Sequence, residues 1–374
     1  MALAAASSSL GLGWISSPSC RYSYSRSRVR FSLKTPPATP WLILPPEETS
    51  YKFYSVAEDR VLSLKKKDGA AAPPHDALLV GSSHGWLALW DEESNRVFLS
   101  NPISGCHLRL PPTPWQSYSR VILSGSPDED GECYAVQDWP FPPAYCAVDV
   151  STEWTQLDAG ERLFYGDVAY CSSRRALSLI TQSMFDFDSD DGVRVFDDGR
   201  ADHQIDDWDL GSNSMVETTW FWKFQGPPHQ GWIPDYLYQN LHLVYAVDGA
   251  SSPLIVVRFV SRDGDAIATA GFLVLKIDGE SRSIRVVDDL KGMALFVGAN
   301  HSFAIPAAGM LKPNSIYFAP SSIRETTGNN DAGIFDYESK TFSRFININN
   351  KLKLQPNNCL HDWRGKCPMW FTPT

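Results

Sequence analysis

Residues 81–112, GSSHGWLALWDEESNRVFLSNPISGCHLRLPP, constrain the fold more than any other stretch. Trp86–Trp90 is a short apolar and aromatic run, which suits a strand covered on both faces. Asp91–Asn95 is polar and turn-rich, and Arg96–Ser100 is a second strand of similar length. Asn101-Pro102 and Ser104-Gly105 are turn dipeptides, and Pro102 has no N–H to give a ladder. Cys106–Leu110 alternates and puts Leu108 and Leu110 on one face, and Pro111-Pro112 is expected to stop the strand. Three strands of about five residues joined by short turns form the core of one propeller blade or one sandwich sheet.

The same rhythm runs along most of the 374 residues. Trp41–Leu44 reads as a first strand, and Tyr51–Leu64 as two more before the basic turn 65–69. Arg120–Ser124 pairs with Cys133–Val136, and Tyr145–Val150 is followed by Glu153–Leu157. Asp167–Tyr170 and Ala176–Ile180 form a hairpin. Strands resume at His242–Val247, Pro253–Val260, Gly271–Ile277 and Ile284–Val287. Others follow at Ala294–Val297, Ser315–Phe318, Ala332–Tyr337 and Thr341–Phe345. Units repeating every 8–12 residues or so are the mark of all-β sandwiches and propellers. No sequence-exact repeat or WD signature supports copied blades, so a propeller rests on strand rhythm. At about 40–50 residues per blade, the body 41–374 accommodates six or seven. Trp41–Leu44 is placed to complete the last blade and close the ring, which removes exposed edges. Residues 181–232 are irregular, with the acidic runs FDFDSDDG and DDGRADHQIDDWDLG and the aromatic cluster at 220–222. They read as a surface insertion or as a degenerate blade, and a helix fits only around Asp235–His242.

Charge and apolar run length exclude several classes. The formal net charge is −10, from 33 basic and 43 acidic residues. Five of the basic ones (Arg21, Arg26, Arg28, Arg30, Lys34) lie in residues 1–34, which hold no acid. The remainder therefore carries 28 basic against 43 acidic residues, a balance of −15 that repels phosphate backbones and argues against nucleic acid. The strongest apolar run, Leu254–Val260, is broken by Arg258, far short of the ~20 residues that span a bilayer, so no membrane insertion is expected. Seven scattered cysteines lack the density of a disulfide scaffold and read mostly as reduced and buried.

Residues 1–34 are Ala- and Ser-rich, then Arg-rich, and Glu47 is the first acid. That is the composition of an organellar transit peptide, since the positive charges follow the apolar stretch where a secretory signal puts them first. Plastid and mitochondrion are not separable on this composition. A merely disordered tail would leave the protein in the cytosol or nucleus. Residues 35–40 read as the linker into the body.

Several segments in register resemble a plant family named "domain of unknown function 295", the KIB-type β-propellers. They are Gly85-Trp86-Leu87, Asn101–Gly105, Arg109–Pro112, Arg120–Ser124 and Phe164–Val168. Leu295–Phe303, Asn314–Phe318, Gly333–Asp336 and Trp370–Pro373 continue the series, so the likeness runs from about residue 78 to the end. It implies an all-β propeller domain over 41–374 that acts by binding. Many members carry an N-terminal F-box and act as substrate adaptors of ubiquitin ligases. Here a transit-peptide-like segment stands in that place, which resembles the organelle-targeted branch and disfavours the adaptor role. The resemblance supplies no catalytic residues.

The candidate chemical motifs are weak. Gly81-Ser82-Ser83-His84-Gly85 fits the G-x-S-x-G nucleophile elbow, but the elbow needs a helix after the serine and Trp86–Trp90 is a strand. The five residues read as a tight turn between strands. Asp186, Asp188, Asp190 and Asp191 resemble a calcium loop, but Gly192 is seventh where an EF-hand needs the sixth, and Asp197 stands where it needs Glu. Cys359, His361 and Cys367 offer three soft ligands without a fourth. No Gly-rich phosphate loop opens a helix. Trp220-Phe221-Trp222-Lys223-Phe224 with Trp232 is either a binding patch or packing between blades. The expectation is a non-enzymatic interaction module, monomeric and acting in an organelle on a protein partner. No catalytic, cofactor or metal residue is assigned. A cryptic enzyme with a site assembled from blade loops is the alternative.

Overall fold

The computed structural model describes residues 39–373 except 45–46, 70, 114–119, 130, 139–142, 159–164, 172–174, 182–184, 189–191, 196–202, 223–240, 248–253, 264–265, 278–283, 300, 321–330 and 346–367. Trp86–Asp91 is buried along its whole length, and the way it is buried sets the architecture. Successive strand side chains point to opposite faces. Trp86, Ala88 and Trp90 pack with Val121, Leu123, Cys146 and Trp154. Leu87 and Leu89 pack on the other side with Ile43, Phe53, Met369 and Phe371. A sheet that needs cover on both faces must be flanked by two others, and a ring of sheets supplies that for every member.

Among the described residues every regular element is a strand, and six sheets form a six-bladed β-propeller. Strands β1 (Trp41–Leu44), β2 (Ser50–Ser55) and β3 (Arg60–Lys65) belong to blade 1. Blade 2 is β4 (Leu78–Ser83), β5 (Trp86–Asp91), β6 (Arg96–Ser100) and β7 (His107–Pro112). Blade 3 is β8 (Val121–Leu123), β9 (Tyr134–Gln137), β10 (Ala144–Ala147) and β11 (Thr155–Gln156). Blade 4 pairs β12 (Tyr165–Cys171) and β13 (Ala176–Thr181) with β16 (His203–Asp209) and β17 (Ser214–Trp222). The hairpin of β14 (Phe185–Asp188) and β15 (Gly192–Val195) is inserted between β13 and β16 as a separate two-stranded sheet. Blade 5 is β18 (Leu241–Val247), β19 (Leu254–Asp263), β20 (Ala266–Ile277) and β21 (Ile284–Val286). Blade 6 is β22 (Met293–Val297), β23 (Phe303–Pro306), β24 (Ser315–Phe318), β25 (Gly333–Asp336) and β26 (Thr341–Arg344). The last strand, β27 (Met369–Phe371), returns to blade 1 and pairs antiparallel with β1, Leu42 opposite Trp370. The ring is closed as the sequence rhythm predicts, and the blade count is six.

Six apolar clusters fill the six spaces between neighbouring blades. Leu42 and Trp370 meet Phe296 and Tyr317 of blade 6. Ile122 and Val136 of blade 3 meet Leu177 and Leu179 of blade 4. Ile180 meets Ile255 and Val257 of blade 5, whose Val256 and Val274 face Leu295 and Phe318 of blade 6. A charged pair interrupts this apolar packing. Arg258 is fully buried and lies 3.1 Å from Asp331, whose carboxylate also accepts from the Thr269 hydroxyl and N–H. The Arg258 guanidinium further donates to the Ala319 carbonyl, tying blade 5 to blade 6.

The hairpin turns share a device. Asp91, Asp209 and Asp336 each accept from a serine three residues on, and the next residue adopts a left-handed backbone. Those residues are Asn95 (φ 50°), Asn213 (φ 49°) and Lys340 (φ 56°). Asn95 also receives the Trp90 indole N–H and donates to the Thr113 carbonyl, so one turn residue fixes three segments.

The structure departs from the sequence reading at several points. The five-residue turn expected at 81–85 is shorter, because β4 continues through Ser83 and only His84 (φ 48°) and Gly85 (φ 78°) turn the chain. Gly81 sits inside the strand, where a Cβ would come 1.9 Å from the Val121 carbonyl oxygen, and only glycine allows β4 and β8 so close. Pro111 and Pro112 do not stop β7 but lie in it, which an outer strand tolerates since it lacks a partner on one side. β10 ends at Ala147 because Asp149 (φ 62°) turns the chain, whereas the sequence suits a strand to Val150. Blade 6 is not wholly antiparallel, since β24 lies parallel to β22. Among the described residues of the irregular stretch 181–232, β16 and β17 complete blade 4, and β14–β15 is an insertion. Of the helix expected at 235–242, residues 235–240 lie outside the described set, and Leu241 and His242 already belong to β18. Cys133 and Cys146 are free and buried, Cys171 is buried, and burial pushes the Cys133 thiol up to about 11 and Cys146 to about 12. Cys106 is free and half-buried. Among the described residues no helix is long and apolar enough to cross a membrane.

Candidate functional site

The first strands of neighbouring blades run side by side around the axis, and a polar network joins them there. Arg120, just before β8, donates to Asp138 at 2.8 Å and lies 2.6 Å from Asp167 at the start of β12. The second oxygen of Asp167 accepts the Ala246 N–H of blade 5 at 2.7 Å. Burial works against the Arg120 charge, but the two carboxylates outweigh it, and burial raises Asp167 and Asp138 in turn. The β22–β23 connection of blade 6 reaches past blade 1 to blade 2. Its Ala299 is buried among Ile43, Leu79 and Phe371, and the His301 N–H donates to the Ser82 carbonyl at 3.3 Å. The His301 and His84 rings lie 5.3 Å apart. Burial, helped by the charges of His84 and Arg120, pushes His301 down to about 3, so it is neutral at physiological pH. Ser83 accepts the Leu123 N–H at 3.2 Å. These groups hold blades together, and the serine hydroxyl is engaged in that task.

A different arrangement opens between blades 3 and 4, where a cavity of about 500 Å³ meets solvent. Tyr134 on β9 and Tyr170 on β12 are half-buried in its wall. Glu132, Arg175, Asp207, Asp209 and Glu217 are among its lining residues, although the Asp207 carboxylate is buried and accepts from the Ser178 hydroxyl at 2.6 Å. Asp209 is held below the usual carboxylate range by its bonds from the Ser212 side chain and the Gly211 N–H, so that wall stays anionic. The register of blade 4 explains the shape. Asp207 pairs with Glu217 and Trp208 with Met215, which leaves Val216 as an extra residue in a bulge. The bulge sets Val216 and Glu217 at the cleft, and Met215 and Val216 are 55% and 62% exposed. Arg175 stands at a left-handed turn position (φ 52°), 80% exposed, 3.7 Å from Glu132. Charged side chains, aromatic rings and the exposed Val216 thus meet at one cleft.

The comparisons with known proteins come down to one decisive match. The model of the KIB1-4 beta-propeller fits residues 53–336, most of the chain. The protein belongs to the KIB1-4 β-propeller family. No curated protein matches the sequence. Among solved structures, TolB from Acinetobacter baumannii is similar at 13% identity and a TM-score of 0.41, over 82% of this chain and 62% of that one. Hydrazine synthase from Kuenenia stuttgartiensis is similar at 15% identity and a TM-score of 0.35, over 71% of this chain and 73% of that one. The chain thus spans less than two thirds of the TolB structure. A β-propeller of this family supports protein–protein interaction as a class of function.

This KIB1-4 propeller scatters the residues that the sequence singles out. Ser83 and His84 sit at the end of β4 and in the turn to β5, with a strand following, so the elbow geometry is missing. Asp186 and Asp188 lie on β14, paired with Arg194 and Gly192 in a hairpin, while Asp190, Asp191 and Asp197 lie outside the described residues. An antiparallel hairpin is not the helix–loop–helix of an EF-hand. Among the described residues no group of three or more His, Cys, Asp or Glu is placed to hold a metal. Cys359, His361 and Cys367 lie outside the described residues. Trp220, Phe221 and Trp222 end β17, but their side chains are outside that set, as are Lys223, Phe224 and Trp232. The sequence reading missed the cleft.

Proposed function

We propose that this KIB1-4 propeller is a non-enzymatic interaction module that holds a protein partner at the cleft between blades 3 and 4, inside a plastid or mitochondrion. The cleft carries this reading: it is the place where an open cavity, half-buried aromatic rings and an exposed apolar lip coincide. Exposed apolar side chains beside aromatic anchors are the usual elements of a docking surface. The acid-free, Arg-rich residues 1–34 support the organellar address.

A photo-reactive benzoylphenylalanine in place of Val216 tests the docking surface in isolated organelles. A discrete cross-linked adduct is expected from position 216 and none from Met310, an exposed residue of blade 6 (73%). Equal adducts at both positions, or none at 216, would discard the cleft as the docking surface. A fusion of residues 1–40 to a fluorescent protein tests the address, and a diffuse cytosolic and nuclear signal would overturn it.

A further inference from the structure

β3 is the outermost strand of blade 1, and among the described residues no strand lies beyond it. It runs six residues without a proline, and its pairing with β2 has no register shift. The outer strands of the other blades are each blunted. β7 holds Pro111 and Pro112, and β17 shifts register against its neighbour twice. β11, β21 and β26 have only two, three and four residues. Folded proteins cover or break long regular edges, so an intact one is a place where another chain can pair.

The ladder fixes which groups that edge offers. The Lys66 N–H donates to the Thr49 carbonyl, so Leu64, Leu62 and Arg60 also turn their backbone groups to β2. The N–H and C=O groups of Val61, Ser63 and Lys65 therefore point outward, and all three residues are exposed. Leu62 and Leu64 are half-buried against the apolar cluster shared with blade 2, so an added strand meets apolar neighbours on one face only. Charge marks one end. Lys66 gives its ammonium to the His75 carbonyl and Lys67 to the Ile103 carbonyl, both at 2.9 Å. Lys65 is the cation left at the edge, exposed and without an ion pair among the described residues.

We propose that β3 takes an extended segment of a partner protein as a fifth, antiparallel strand of blade 1, with an acidic residue of that segment opposite Lys65. A second copy of this chain is the poorer occupant. β3 paired about its own centre sets Arg60 opposite Lys65 at both ends, and like charges in register repel. This surface is separate from the cleft between blades 3 and 4, and its test reads independently of the adduct at position 216.

The test uses the full chain and labelled acetyl-Glu-Val-Thr-Val-Thr-Thr-amide, whose glutamate falls opposite Lys65 and whose valines fall beside Leu64 and Leu62. Fluorescence anisotropy is expected to show saturable binding. N-methylation of the third and fifth residues removes donors that face β3 and should abolish it, whereas N-methylation of the second and fourth should spare it. The analogue with lysine in place of glutamate should bind about three- to tenfold more weakly. Lys65→Glu should reverse that preference, an outcome that a nonspecific apolar contact would not produce. Ser63→Pro removes an outward donor and no bond to β2, so binding should be lost while the melting curve stays near that of the parent. No saturable binding by the parent, or equal effects of the two methylation patterns, would overturn the strand addition. A lysine peptide that binds the parent as well as the glutamate peptide does would overturn the acidic partner.

Discussion

His301 and His84 lie with ring centroids 5.3 Å apart although one belongs to blade 6 and the other to blade 2. The connection that carries His301 bypasses blade 1, and its N–H on the Ser82 carbonyl makes it a second fastening of the ring beside β27.

That contact predicts acid sensitivity. His301 is pushed down to about 3 from 6.5, so below pH 6.5 the unfolded chain takes up a proton that the folded one refuses. Its share of stability is complete above about pH 6.5 and is lost as the pH falls toward 3. The slope attributable to it is at most about 1.4 kcal/mol per pH unit. Urea unfolding between pH 4 and pH 7 should show this slope, and His301→Asn should flatten it.

Gly81→Ala should be severely destabilising, because the new methyl group would sit 1.9 Å from a backbone oxygen that cannot swing away. Losses beyond about 3 kcal/mol are expected, as for overpacking in a rigid site. Ser83→Ala in the same motif should cost only about 1 kcal/mol, the worth of one hydrogen bond. The two melting temperatures measured side by side check this, and a fluorophosphonate probe should leave Ser83 unlabelled.

Trp86→Ala should cost about 3–5 kcal/mol, since the indole is 1% exposed and fills the space between blades 2 and 3. Its N–H also donates to Asp128 at 3.1 Å, so the loop 125–129 should loosen with it. Hydrogen exchange over that loop, alongside the unfolding curve, separates the two effects.

Asp331→Ala should destabilise by about 3–5 kcal/mol, because it removes the carboxylate that faces a guanidinium with no exposure to water. Arg258→Met should cost less than Asp331→Ala, since Asp331 keeps the Thr269 hydroxyl and N–H as donors whereas Asp331→Ala leaves the guanidinium without its carboxylate. Chemical denaturation of the two single variants and the double variant gives the coupling directly.

The fold was legible in the sequence wherever a strand is apolar on both sides. Trp86–Trp90 can only be the middle of a sandwich of sheets, and Trp41–Leu44 before a proline pair reads as a strand seeking a partner. Arg258 broke an apolar run in the sequence and in the structure is buried there, and its partner Asp331 comes 73 residues later in the chain, which no local pattern could reveal. The repeated Asp-x-x-Ser turn was overlooked. Only the aspartate, the serine and a left-handed residue recur, while the rest of each turn varies with its surroundings. The cleft was not legible at all. Glu132 and Tyr134 come from blade 3 and Asp209 and Glu217 from blade 4, and a bulge decides where Val216 and Glu217 stand. Such a site is made by the angle between two sheets, for which a linear sequence has no mark.

The pairing of β1 with β27 also governs the time course of folding. Trp41–Leu44 leaves the ribosome early, and its partner Met369–Phe371 comes at the far end of the chain. At about 5–20 residues per second the interval is on the order of tens of seconds. Throughout it, β1 offers an unfilled hydrogen-bonding edge to any other extended chain nearby. A growing polypeptide of this kind stays prone to aggregate until Met369–Phe371 has been made. Holding that one strand apart is the service it would need from a chaperone.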